Sequence, residues 1–141
     1  AAAALSRREL PRVPANGHVL DASALLCLLF REPGAERVAE LLPGASVAAP
    51  NLAEVIAKLV DHGEDAKRVA AELAELDFEV VPFDAEQAAI AGALRASTRG
   101  LGLSLGDRCC LALASTLGAT AVCTDRAWEA LGPQYPVEVV R

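Results

Sequence analysis

Four carboxylates stand where an acid is either costly or well placed for chemistry: Asp21, Glu54, Asp107 and Asp125. Asp21 follows the apolar run HVL and precedes ALLCLLF, a setting in which a charge costs free energy unless something compensates it. Asp107 leads directly into CCLALA, Asp125 closes TAVCT, and Glu54 falls near the start of NLAEVIAKLV. If folding brings these acids together, they repel one another until a cation neutralises them. Hard oxygen donors without His or Cys select Mg²⁺ or Mn²⁺ over Zn²⁺. Such an ion can activate water, polarise a phosphodiester and stabilise the leaving oxygen, so no histidine base is needed.

Each acid also has a purely structural reading. Asn51-x-x-Glu54 and Ser104-x-x-Asp107 both fit the capping box, in which an N-cap side chain and an acid three residues on satisfy each other's backbone N–H. Thr124 or Asp125 could cap the last helix, and Asp21 could pair with Arg108 or Arg126. Taken singly, the four acids do not separate chemistry from capping.

The elements that must position them alternate along the chain. HVLD is a short apolar run ending in an acid, and AERVAELL reads as a helix bounded by Pro33-Gly34 and Pro43-Gly44. SVAA is a second strand candidate. Pro50 opens a helix with Leu52, Val55, Ile56 and Leu59 on one face, and another follows with Val69, Leu73 and Leu76. FEVVPF is a strand, DAEQAAIAGALRAS a helix, STRGLGLSLG a loop and DRCCLALAST a helix. TAVCTD, RAWEAL and VEVV read as strand, short helix and strand. Alternation of this kind implies right-handed crossovers and a three-layer α/β/α domain with a mostly parallel sheet of about five strands. Strand ends and helix starts then share one edge of the sheet, where function gathers in open parallel folds.

Composition bounds the alternatives. The 141 residues suit one domain, taken as 18–141, with residues 1–17 set aside as an arm or expression remnant because they show no helix or strand period. Arg7, Arg8 and Arg12 would make that arm basic. No apolar run approaches the roughly 20 residues that span a bilayer, which predicts a soluble protein. The four cysteines, Cys27, Cys109, Cys110 and Cys123, form no C-x-x-C pair, and His18 and His62 cannot complete a zinc site. Buried, reduced thiols in a cytoplasmic protein are the expectation. The net charge of −6 counts against a general nucleic-acid binder, though not against acids clustered around cations and ringed by arginines. Arg31, Arg95, Arg99, Arg108 and Arg126 are the candidates for phosphate contacts.

The segments VLDASALL, NLAEV, LSLGDRCCLALA and AVCTD, in this order and spacing, resemble the PIN domains of VapC toxins. The resemblance covers about residues 18–141 and implies a magnesium-dependent endoribonuclease, with Mn²⁺ able to substitute. It also implies a VapB-like antitoxin as partner. Matched position by position, Asp21 and Asp107 become the principal metal ligands, and Glu54 and Asp125 further ligands or water-holding acids. Ser23 and Thr124 become positioners of water or phosphate, or helix N-caps. The chain departs from the family in carrying 17 residues before the first strand. An RNA substrate and a homodimer complete the expected partners, with no membrane. An antitoxin helix would fit a groove between ALLCLLF–AERVAELL and NLAEVIAKLV, sending an arginine into the acids.

Other classes fit less well. A receiver domain needs a lysine at the end of its last strand, whereas Lys58 and Lys67 both fall in predicted helices. A haloacid-dehalogenase-like phosphatase needs an acid where Ser23 stands, and no G-x-G-x-x-G follows the first strand. The alternative of a different class is a non-catalytic PIN-like interaction module.

Overall fold

A computed structural model describes residues 16–141. The expectation of a basic arm at Arg7, Arg8 and Arg12 lies outside the described residues. In chain order the elements are β1 (His18–Leu20), α1 (Ala22–Leu29), α2 (Ala35–Leu41), β2 (Ala45–Ala48), α3 (Ala49–Asp61), α4 (Ala66–Ala74) and β3 (Phe78–Val81). These are followed by α5 (Ala85–Thr98), a 3₁₀ turn (Arg99–Leu101), α6 (Leu105–Leu117), β4 (Thr120–Cys123), a 3₁₀ helix (Arg126–Leu131) and β5 (Val137–Val139). The run ALLCLL is therefore helical with Phe30 as its C-cap, and the LSLG end of the expected loop contains the N-cap and first residues of α6.

The sheet has five strands in the order β3-β2-β1-β4-β5, and every pairing is parallel. Strand order reverses beside β1, so the crevice at the carboxyl ends of β1 and β4 is the topological switch point of the fold. Asn16 and Gly17 are hydrogen-bonded into this unit: the Asn16 amide donates to the Pro43 carbonyl at 3.0 Å, and Gly17 O accepts from Thr120 N at 2.9 Å.

Period-two alternation builds two cores from the same strands. Val19, Ala121 and Cys123 point to one face, where Leu94, Leu103, Leu111, Leu113 and Trp128 cover them. Leu20, Val47 and Val122 point to the other, under Leu25, Val38, Val55, Val69 and Leu73. Both faces being covered, the strands read as continuous short apolar runs, as buried parallel strands do. Helices that start above one sheet edge and run back beneath it leave their N-termini beside the strand carboxyl ends. All four cysteines are buried and unpaired. Among the described residues no helix is long and apolar enough to cross a membrane.

Candidate active site

Asp21 is the innermost of the acids. It leaves the central strand β1 and caps α1, and its backbone N–H donates to Val122 O at 2.9 Å, which anchors it to β4. Only 3% of its surface is exposed. Its Oδ2 accepts from Ser23 N at 3.1 Å and from Ser23 Oγ at 2.6 Å, whereas the buried Oδ1 has no donor among the described residues. Burial raises its carboxyl from 3.8 to about 7; the Ser23 hydroxyl opposes the rise, and the charges of Asp107 and Glu54 add to it.

Asp107 is half-buried in the first turn of α6, and here the capping box is real. Its backbone N–H donates to Ser104 Oγ at 3.1 Å, and its Oδ2 accepts from Ser104 N at 2.9 Å. Capping and chemistry are thus compatible in one residue, since one carboxylate oxygen serves the cap. Burial raises the Asp107 carboxyl above its ordinary value, the Ser104 hydrogen bonds pull it back, and the charge of Asp125 raises it again.

Glu54 reaches the site differently from the expected capping box. Helix α3 begins at Ala49 with Ala48 as its N-cap and Pro50 in its first turn, so Asn51 already lies inside the helix and Glu54 in its second turn. Asn51 is fully buried, and its Nδ2 donates sideways to Gly106 O of α6 at 3.0 Å and to Glu54 Oε1 at 3.3 Å. The Glu54 carboxylate lies so close to Gly106 that a Cβ there would overlap Oε1. Burial raises the Glu54 carboxyl, the Asp107 charge raises it further, and the Asn51 amide lowers it.

Asp125 is exposed at the rim and caps the 3₁₀ helix, its Oδ1 accepting from Ala127 N at 2.9 Å. The N-cap roles expected of Ser23 and Thr124 therefore fall to Asp21 and Asp125. Each acid directly precedes a helix-forming turn or stands one residue closer to it, and so reaches the free N–H groups first. Ser23 Oγ instead joins the two strand ends, donating to Asp21 and accepting from Thr124 N at 3.2 Å. Thr124 enters through its backbone.

The pairing of Asp21 with an arginine does not occur. Arg108 Nη1 donates to Ala91 O at 3.0 Å, and Arg126 faces Glu129 at 3.5 Å. Among the described residues none of the four acids forms an ion pair. Arg31, Arg95, Arg99 and Arg126 are exposed and Arg108 is half-buried. Beneath the acids lie two thiols. Burial pushes Cys123 up to about 12 and Cys110 well above its ordinary value, with Asp21 and Asp107 adding to both, so neither supplies a thiolate.

The donor set suits a hard divalent cation. Asp21, Asp107 and Glu54 are oxygen donors; the Asp107 charge raises the proton affinity of both Asp21 and Glu54, Glu54 adds to that of Asp21, and Asp21 Oδ1 has no partner among the described residues. No three His, Cys, Asp or Glu side chains among the described residues close around one point. Oxygen donors of this kind suit a hard cation that keeps part of its own water shell rather than one closed in an all-protein cage. Asn51 and Gly106 were not read as site residues from sequence. The only sequence signal was a polar residue on the apolar side of NLAEVIAKLV, which the capping template absorbed.

Comparison with known proteins places this edge in context. Residues 18–132 match the family model of the PIN domain. A toxin–antitoxin complex from Klebsiella pneumoniae superposes with a TM-score of 0.71 at 18% identity, covering 88% of this chain and 98% of that one. FitAcB from Neisseria gonorrhoeae gives 0.62 at 24% identity, covering 85% and 95%. VapBC-5 from Mycobacterium tuberculosis, described as a member of the VapBC family of toxin–antitoxin systems, gives 0.58 at 22%, covering 89% and 98%. A search of curated proteins finds no match.

Proposed function

The chain belongs to the PIN-domain family, and from that premise we propose that it is a Mg²⁺-dependent endoribonuclease serving as the toxin of a VapBC-type toxin–antitoxin pair. The observation that carries this reading is Asp21: a carboxylate 3% exposed at the switch point of the sheet, with one oxygen that has no donor among the described residues and two more acids raising its proton affinity. A structural capping residue has no use for such company.

In this reading Asp21 and Asp107 are the principal ligands, and Glu54 and Asp125 hold the ion's waters or complete its shell. A bound Mg²⁺ supplies a Lewis acid that lowers the pKa of water and neutralises charge on the phosphodiester. Ser23 holds Asp21 by its hydroxyl, which keeps Oδ2 oriented and leaves Oδ1 without a donor among the described residues. Glu54 and Asp125, both exposed, are the acids to accept a proton from an attacking water, and the exposed Arg31, Arg95, Arg99 and Arg126 are the candidates for phosphate contacts.

A VapB-like antitoxin is the proposed partner. Leu29, Phe30 and Val60 are exposed apolar residues at the ends of α1 and α3, which meet where the Phe30 and His62 rings stand 4.8 Å apart. That strip suits an amphipathic segment, and an arginine following it could enter the acids in place of the ion's charge. A homodimer is part of the same proposal. The experiment is cleavage of RNA by the purified chain with Mg²⁺, with Mn²⁺ and with EDTA, beside Asp21→Asn. Cleavage that needs the ion and is lost in the variant supports the enzyme. A chain that binds antitoxin but never cleaves supports the interaction module instead.

A further inference from the structure

We propose that Asn51 and Gly106 form a positioning clamp that holds the Glu54 carboxylate against the N-terminus of α6, and so sets its place beside Asp107. The inference rests on the nuclease reading above and deepens it.

Asn51 is a poor residue for where it stands. Asn is among the weaker helix formers, and burying an amide costs free energy for each hydrogen-bonding group left unmatched. Here the side chain is fully buried and its Oδ1 has no donor among the described residues. An apolar residue would suit packing alone. What the amide provides is one nitrogen with two hydrogens facing two acceptors, Gly106 O on α6 and Glu54 Oε1 on its own helix. With acceptors on both sides, the nitrogen rather than the oxygen must occupy that place.

Gly106 completes the clamp by lacking a side chain. Its backbone φ is outside the left-handed region, so no turn requires glycine there. A Cβ would instead fill the space of the Glu54 carboxylate. Without the clamp, Glu54 is an exposed, long and flexible acid repelled by Asp107, and the favoured rotamers would carry it into solvent. The amide donates without adding charge, whereas an acid at position 51 would add a further repelling one.

The test is a double-mutant cycle on Asn51→Ala and Glu54→Gln, read both as kcat on RNA and as Mn²⁺ affinity by titration of the full chain. Asn51→Ala is expected to lower kcat and Mn²⁺ affinity by about 10- to 100-fold, the usual effect of losing a residue that orients a ligand, with KM little changed. Once Glu54 is Gln, adding Asn51→Ala should cost less than about two-fold, because the carboxylate that the clamp positions is already gone. Gly106→Ala approaches from the other side. Alanine suits a helix better than glycine, so the thermal midpoint should hold or rise while kcat falls. Effects of Asn51→Ala and Glu54→Gln that multiply, or a Gly106→Ala protein with unchanged kcat and Mn²⁺ affinity, would overturn the clamp. If Asn51→Ala does not fold, Gly106→Ala with Glu54→Gln runs the same cycle. A wild-type chain that never cleaves RNA sinks the nuclease reading, and the Mn²⁺ cycle then still decides whether Asn51 acts through Glu54.

Discussion

Replacing Asp21 by Asn should stabilise the metal-free protein at pH 8 while abolishing cleavage. Burial raises the Asp21 carboxyl from 3.8 to about 7. A raised folded-state pKa means that the folded chain holds the proton more tightly than the unfolded chain. The charge penalty is therefore absent below about pH 4, grows through the interval up to about 7, and is complete above it. That difference in proton affinity corresponds to roughly 4 kcal/mol at about 1.4 kcal/mol per tenfold change, as an upper bound. Asn keeps the N-cap role toward α1, and its amide replaces an oxygen that already lacks a partner. A net gain of about 1–3 kcal/mol at pH 8 remains, a rise in Tm of roughly 3–10 °C for a domain of this size. Thermal melts in EDTA at pH 4.5 and pH 8 measure it: the variant should exceed wild type at pH 8 and lose its advantage at pH 4.5. Saturating Mg²⁺ should close or invert the gap, adding about 2.7 kcal/mol to wild type at a hundred times Kd and nothing to the variant. A variant less stable than wild type at pH 8, with wild-type melting indifferent to the ion, would refute the placement of Asp21 as a ligand held ready for a cation.

Asp107→Asn should also end cleavage while the chain stays folded, since the Asn side chain can still accept from Ser104 N; circular dichroism beside an RNA assay checks both halves. Ser23→Ala removes the hydroxyl hydrogen bond, the larger of the two Ser23 contacts that hold the Asp21 carboxyl down, and leaves the backbone one. The acid limb of the pH–rate profile should therefore move upward, and an unmoved or lowered limb would contradict it. Phe30→Asp with Val60→Asp should prevent co-purification of an antitoxin yet leave RNA cleavage by the isolated chain unchanged, because both residues are exposed and lie on the strip at the ends of α1 and α3. Retained co-purification would move the docking surface elsewhere.

What could be read without coordinates was whatever local physics decides. Short apolar runs interrupted by helical periods specified a parallel sheet covered on both faces, because only that architecture buries both sides of HVL, SVAA and TAVC. Asp21 and Asp125 were visible as acids at strand ends, and Ser104 with Asp107 as a capping box, since each depends on residues within one turn. The same local template misread Asn51. Helix α3 starts at Ala49 because Pro50 suits a first turn, so Asn51 lost its capping geometry and its amide turned to α6. No spacing along the chain announces that Gly106, 55 residues away, would present its carbonyl there. The burial of Asp21, its unpartnered oxygen and the Asp107 and Glu54 charges that raise it are likewise products of packing. They arise where β1, β4, α3 and α6 meet, and a one-dimensional pattern holds the parts of that meeting but not their contacts.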